Sequence, residues 1–120
     1  MIFCDMATIR RIFKKVFVYP FQRMFRGYDD TDLWNLDVSI SKRISRMLKD
    51  FKKETNGYPA CLDSFEEWME ILDKMIYCFD FYENHYDRFY ELSEEEYKKE
   101  LKLANEGFDL FKKYYQDLWW

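Results

Sequence analysis

The stretch SEEEYKKELKLANEGFDLFKKYYQDL, residues 93–118, decides the fold class. It opens on Ser93-Glu94-Glu95-Glu96, a Ser-x-x-Glu capping box. In such a box the hydroxyl and the carboxylate each accept from a backbone N–H that the first helical turn leaves unpaired. From there Tyr97, Leu101, Ala104, Phe108, Phe111, Tyr115 and Leu118 follow alternating steps of three and four, the repeat of a single helix face. Leu103, Gly107, Leu110 and Tyr114 form a second stripe, so this helix is expected to touch two neighbours. A mid-helix glycine costs about 1 kcal/mol against alanine. Placed in an apolar stripe, Gly107 predicts a close helix crossing.

Working upstream, the same start signal recurs at Ser64-Phe65-Glu66-Glu67. It precedes Trp68, Leu72, Met75, Ile76, Phe79, Tyr82, Tyr86 and Tyr90, which predict a helix over roughly 65–91. Leu33, Leu36, Ile40, Ile44, Met47, Leu48 and Phe51 predict another over roughly 31–54, capped by Asp30 or Thr31. Lys42, Arg43, Arg46, Lys49, Lys52 and Lys53 load its second half, which suits the negative end of a helix dipole. Asn56-Gly57 reads as a left-handed stop, and Pro59 follows. At the start of the chain Ile9, Ile12, Phe13, Val16 and Phe17 share one side of a helix over roughly 5–18, and Arg10, Arg11, Lys14 and Lys15 take the other. Proline ends or kinks a helix, so Tyr19 to Tyr28, with Pro20 inside, reads as an aromatic and basic connector.

The expected fold is therefore all-α: an up-down-up bundle of three long helices plus a shorter amphipathic N-terminal helix. Residues 1–28 are expected to form the basic helix and connector, and residues 29–120 the bundle. The first helix would cover the second stripe of the last helix or extend to another molecule.

A chain of 120 residues suits one domain, and three Gly and two Pro leave little room for strand turns. The charge is uneven: residues 1–28 hold six basic groups against Asp5, and residues 63–100 hold thirteen acids against four bases. Cys4, Cys61 and Cys78 match no metal spacing, and with a single His there is no zinc set. An odd, unpaired set of cysteines favours a reducing compartment. The longest apolar runs are too short for a transmembrane helix, and Arg and Lys interrupt the first one, unlike a secretory signal.

Residues that break the helical pattern are the pointers to function. Asp37 falls inside the apolar stripe with Leu36, Ile40 and Ile44. It reads either as a polar group lining a pocket near Trp34, or as a structural carboxylate paired with Arg26 or the 57–59 loop. Lys74, Tyr77, Phe81, His85 and Arg88 share one face at spacings of 3, 4, 4 and 3. They form a basic-aromatic strip that suits a planar, phosphorylated ligand, or else Tyr77 and Phe81 are simply covered by the first helix. Leu118-Trp119-Trp120 reads as a lid on the bundle end or as a partner anchor.

The basic first helix packs, swaps into a dimer, or lies on an anionic membrane through residues 5–26. Nucleic acid is disfavoured by the net charge of −4, and imitation of DNA by the acidic helices is diluted by their lysines. No carboxylate pair, metal cluster or phosphate loop stands out at diagnostic spacing, so no enzyme and no cofactor are expected.

The run Arg26-Gly27-Tyr28-Asp29-Asp30-Thr31-Asp32-Leu33-Trp34-Asn35-Leu36-Asp37, with Gly57-Tyr58-Pro59 and Glu66-Glu67-Trp68-Met69-Glu70-Ile71-Leu72-Asp73-Lys74-Met75-Ile76, resembles a family of small uncharacterised helical proteins encoded by tailed bacteriophages. The resemblance spans roughly residues 26–118 and implies a source rather than a mechanism. It implies an accessory protein of the host cytoplasm, an anti-defence inhibitor that caps a host protein or sequesters a small phosphorylated signal. For the ligand form, Trp34, Tyr77 and Phe81 would stack, and Lys74, Arg88 and Arg26 would supply charge. The aromatic content exceeds what single stripes of one small bundle can bury, so a homo-oligomer is expected; an assembly bundle of a phage particle and a membrane-surface protein are the alternative functions.

Overall fold

The computed structural model describes residues 6–119, so Cys4, Asp5 and Trp120 lie outside the described residues. The chain is all-α, with no strand among those residues. It divides into two compact units, one ending at Leu36 and the other beginning at Asp37.

In the first unit, α1 (Met6–Phe13), a π-helical stretch (Lys14–Val18) and α2 (Tyr19–Arg26) form one unbroken helix. Pro20 does not end it, contrary to expectation, and the expected connector is helical. The reason is the wide turn before the proline. Tyr19 donates its N–H to the Lys14 carbonyl, five residues back. That spacing opens the turn against which the pyrrolidine ring would clash. The wide turn also changes register. Residues in a π turn advance about 80° each rather than about 100°, so five of them take up roughly 90°. Without it the apolar stripe would wander off the helix face after Val16. With it, Phe21, Met24 and Phe25 return to line with Ile9 and Phe13.

The helix ends at Gly27, whose φ of 80° is left-handed and whose N–H donates to the Arg23 carbonyl at 3.0 Å. Glycine alone adopts that conformation without a Cβ penalty. α3 (Asp30–Trp34) follows at once. Its cap is Asp29, not Asp30 or Thr31. The Asp29 carboxylate accepts from the Thr31 and Asp32 N–H groups, and Asp32 accepts the Asp29 N–H in return. The Gln22 amide brackets Asp30, donating to its carboxylate at 3.0 Å and accepting its N–H at 2.9 Å. These bonds pin α3 back on α2.

The second unit contains α4 (Leu36–Glu54, from Asp37 onward), α5 (Phe65–Glu83), α6 (His85–Glu91) and α7 (Glu94–Tyr114), closed by a 3₁₀ turn at Tyr115–Asp117. Ser64 and Ser93 cap α5 and α7 by accepting the Glu67 and Glu96 N–H groups. Two expected long helices are interrupted, each at an asparagine: Asn35 divides α3 from α4, and Asn84 divides α5 from α6. Asn84 explains its own break, because its side-chain amide donates to the Asp80 carbonyl at 2.9 Å and competes with the helical ladder. Tyr86 and Tyr90, expected in the α5 stripe, consequently lie exposed on α6. The left-handed stop expected at Asn56-Gly57 is also absent, since Gly27 carries the one positive glycine φ among the described residues.

α5 is the central rod. Trp68, Leu72, Met75 and Cys78 are fully enclosed, with Ile71 and Phe79 beside them. α7 runs antiparallel to it, as the pairs Trp68–Tyr114, Phe79–Phe111 and Phe81–Tyr97 show. α4 is antiparallel too: Lys52 pairs with Asp73 at 2.6 Å, Lys49 with Asp80 at 3.1 Å, and the buried Ser45 hydroxyl donates to Asp80. The α5–α7 contact is the tightest. A Cβ on Gly107 would stand 2.2 Å from the Lys74 carbonyl oxygen and 2.8 Å from the Cys78 Cβ. With Ala104 also fully buried, this is the crossing that Gly107 anticipates.

Two outcomes follow from this packing. Gly107→Ala should lose about 2 kcal/mol in thermal or urea unfolding, because overpacking against backbone outweighs the gain of about 1 kcal/mol in helix propensity. Ser45→Ala should cost about 1–2 kcal/mol by the same measurement, since the buried hydroxyl is a direct tie between α4 and α5.

Candidate functional site

The break at Asn84 divides the basic-aromatic strip. Tyr77, Phe81 and Arg88 line one recess of about 430 Å³, together with Lys49, Asp80, Glu83 and Asn84. His85 lines a different, more apolar groove. Lys74 is exposed on α5, where its backbone carbonyl faces Gly107. A face continuous on a single helix is thus spread over two surfaces, because the chain turns after Glu83.

Within the recess the groups expected to hold a ligand are already engaged. Phe81 is buried, its ring against Tyr82 and Tyr97 at 5.4 and 5.7 Å. Its π-face is therefore not open for stacking a planar molecule. Arg88 faces Glu100 at 3.5 Å. Burial, and then the Glu100 charge, push the Tyr77 hydroxyl above its ordinary range. The second Glu100 oxygen is buried with no hydrogen-bond partner, so this carboxylate leans on Arg88 for compensation. Glu100 and Asp80 are the groups that periodicity missed: both sit among polar positions whose burial depends on a neighbouring helix.

The apolar groove, about 510 Å³, runs between α4 and α7 over α5. Ile40 and Ile44 form one wall, Phe108 and Phe111 the other, and Phe79 and Tyr82 the floor. Asp37 and His85 stand along it. Asp37 is not a buried carboxylate, as its place in the stripe suggests. Its side chain is 57% exposed, and its Oδ2 lies 3.8 Å from His85 Nε2. The reason is its position in the first turn of α4, where the stripe has little to pack against. The Tyr82 carbonyl is only an acceptor, so His85 Nδ1, 2.8 Å away, carries a proton and donates to it. In the neutral ring Nε2 is then a lone-pair acceptor, and protonation turns the Asp37 contact into a charge pair. Ser41 lines the same groove.

The remaining candidates, Arg26 and Trp34, belong to the first unit. Arg26 donates to the Tyr28 carbonyl at 3.1 Å and to Asp30 at 2.8 Å, with its guanidinium 4.4 Å over the Tyr28 ring. Trp34 is 70% exposed and edge-on to Tyr19 at 6.3 Å. The hydrogen bonds from Gln22 and Arg26 hold the Asp30 carboxyl below the usual carboxylate range. Burial alone would raise Asp29, but the donors Thr31, Asp32 and Arg23 outweigh it and the net shift is downward.

A long exposed apolar feature is the helix Met6–Arg26. Ile9, Ile12, Phe13, Val16, Phe17, Phe21, Met24 and Phe25 run along it, at 47% to 78% exposure. Phe13–Phe17 and Phe21–Phe25 stack in pairs, with centroids 5.1 and 4.3 Å apart. The half beyond Pro20 was missed because an α-helical repeat alone does not keep those residues on the face. At the other end of the chain, Leu118 packs on the core and Trp119 is 75% exposed beside Tyr58, Pro59 and Trp68, so this Trp does not seal the bundle.

Among the described residues no group of three or more His, Cys, Asp or Glu is placed to hold a metal ion. The thiol inside the bundle is chemically quiet, because burial pushes Cys78 up to about 12. In a Cys4→Ser chain, the exposed Cys61 should therefore react with a thiol reagent at once, and Cys78 only on unfolding. One fast and one denaturant-dependent equivalent is the expected titration.

The chain matches no family model, and no curated protein or solved structure shows significant similarity to it.

Proposed function

We propose that this chain is a non-catalytic binding protein that works by docking on the surface of another molecule, and that its docking element is the helix Met6–Arg26. One observation carries this reading: an apolar stripe containing four Phe, at positions 13, 17, 21 and 25, stands exposed along the whole of that helix. Contiguous exposed apolar patches of this extent mark interaction surfaces. The polar side is arranged with equal care, since every charged group from Met6 to Tyr28 is basic.

The capping of a host protein, which the phage resemblance implies, is one form of this reading. Sequestration of a small phosphorylated ligand draws less support, because Phe81 is enclosed and Arg88 is paired with Glu100.

Photo-crosslinking tests the proposal. A benzophenone side chain placed at Phe17, on the stripe, should give discrete adducts in the expressing cell. The same group at Arg11, on the basic side, should give far fewer. Equal yields from both positions, or none from Phe17, would discard the docking element.

A further inference from the structure

We infer that the surface on which Met6–Arg26 docks is an anionic lipid bilayer, the helix lying in the plane of the headgroups with its Phe stripe inserted. The inference rests on the docking reading above and names its partner.

α1, the π stretch and α2 make a single rod of 21 residues, about 30 Å long. A stripe that long and continuous suits a flat apolar boundary better than a short pocket. The π stretch is what keeps it in register, by returning Phe21, Met24 and Phe25 to the face of Ile9, Phe13 and Phe17. A helix that tolerates a wide turn and an internal proline in order to hold one face in register is organised around that face.

Arg10, Arg11, Lys14, Lys15, Arg23 and Arg26 occupy the opposite side and the shoulders of the rod, and no acid lies between Met6 and Tyr28. Arg23 pairs with Asp29, and Arg26 with Asp30. These contacts fasten the carboxy-terminal end to α3. Arg10, Arg11, Lys14 and Lys15 then carry most of the attraction to phosphate headgroups, although Lys14 also acts on Asp30. Long basic side chains at the edges of an apolar stripe reach up to the headgroups while their stems stay in the boundary.

Span is excluded by polarity. Among the described residues no helix is long and apolar enough to cross a membrane. Low overall hydrophobicity, a Phe-rich face and a Lys/Arg face together describe a helix that lies on a bilayer. A protein groove would have to be equally long and acidic along both rims to match the same features, which makes it the less economical partner.

Flotation of the full chain with phosphatidylcholine vesicles, with and without 30% phosphatidylglycerol, is the test. Binding should be at least about tenfold stronger to the anionic vesicles and should weaken as salt rises. Arg10→Glu/Lys14→Glu should reduce it by about 25-fold or more, at roughly fivefold for each of the two basic groups lost. Phe17→Glu/Phe21→Glu should abolish it while circular dichroism and the melting of the bundle stay unchanged, since both side chains are exposed. An environment-sensitive dye at Met24→Cys should shift to the blue on binding, and one at Arg11→Cys should not, both in a chain lacking the other cysteines. Equal affinity for neutral and anionic vesicles, or no binding, overturns the inference. If vesicles fail while crosslinking from position 17 yields protein adducts, or an adduct of two copies, docking stands and the lipid assignment falls.

Discussion

The bundle depends on the approach of α7 to α5 at Gly107. Only the absence of a side chain lets the α7 backbone settle against the Lys74 carbonyl and the Cys78 Cβ. From that contact the rest of the second unit is placed. Trp68 meets Tyr114 on one side of the crossing, and Phe79 and Phe81 meet Phe111 and Tyr97 on the other. Close packing of this kind forces the neighbouring residues to be small, and Ala104 and Cys78 are both fully buried beside it. α4 is attached differently, through the Ser45 hydroxyl and two lysines reaching Asp73 and Asp80. The polar attachment leaves room for the groove between α4 and α7.

The helix Met6–Arg26 and α5 put their apolar residues to opposite uses. In the second unit, α5 buries nearly everything it has. In the first, the helix Met6–Arg26 turns a full stripe outward and keeps it aligned through a π-helical stretch. Wide turns of this kind are frequent at functional positions, because they place a side chain where a regular helix would not. Here the turn corrects the phase of a whole face. The same unit uses its acids economically: Asp29 and Asp30 hold α3 and neutralise Arg23 and Arg26, which leaves the amino-terminal half of the rod strongly basic.

The candidate ligand strip shows how a site can dissolve on folding. Lys74, Tyr77, Phe81, His85 and Arg88 lie on one face only if the helix runs straight from 65 to 91. Asn84 bends the chain, and Phe81 is drawn under Tyr97 while His85 moves to the groove shared with Asp37. Glu100, by contrast, reads as one more solvated acid on α7, yet it is the carboxylate that faces Arg88. It lies between Arg88 of α6 and Tyr77 of α5, and periodicity along α7 registers neither.

The residues by themselves determined the helical class, the starts of α5 and α7 at Ser64 and Ser93, and the close crossing at Gly107. Each of these is a local matter, settled by a hydroxyl facing a bare N–H or by a missing Cβ in an apolar stripe. The tertiary structure alone decided where helices bend and which faces end up covered. An asparagine on the polar side does not disturb the apolar repeat, so the breaks at Asn35 and Asn84 are silent in periodicity. The continuation of the first helix past Pro20 is equally silent, since a fixed advance per residue cannot register a turn that widens. Direction along a helix is written in the spacing of side chains. What they meet is set by neighbours far away in the chain.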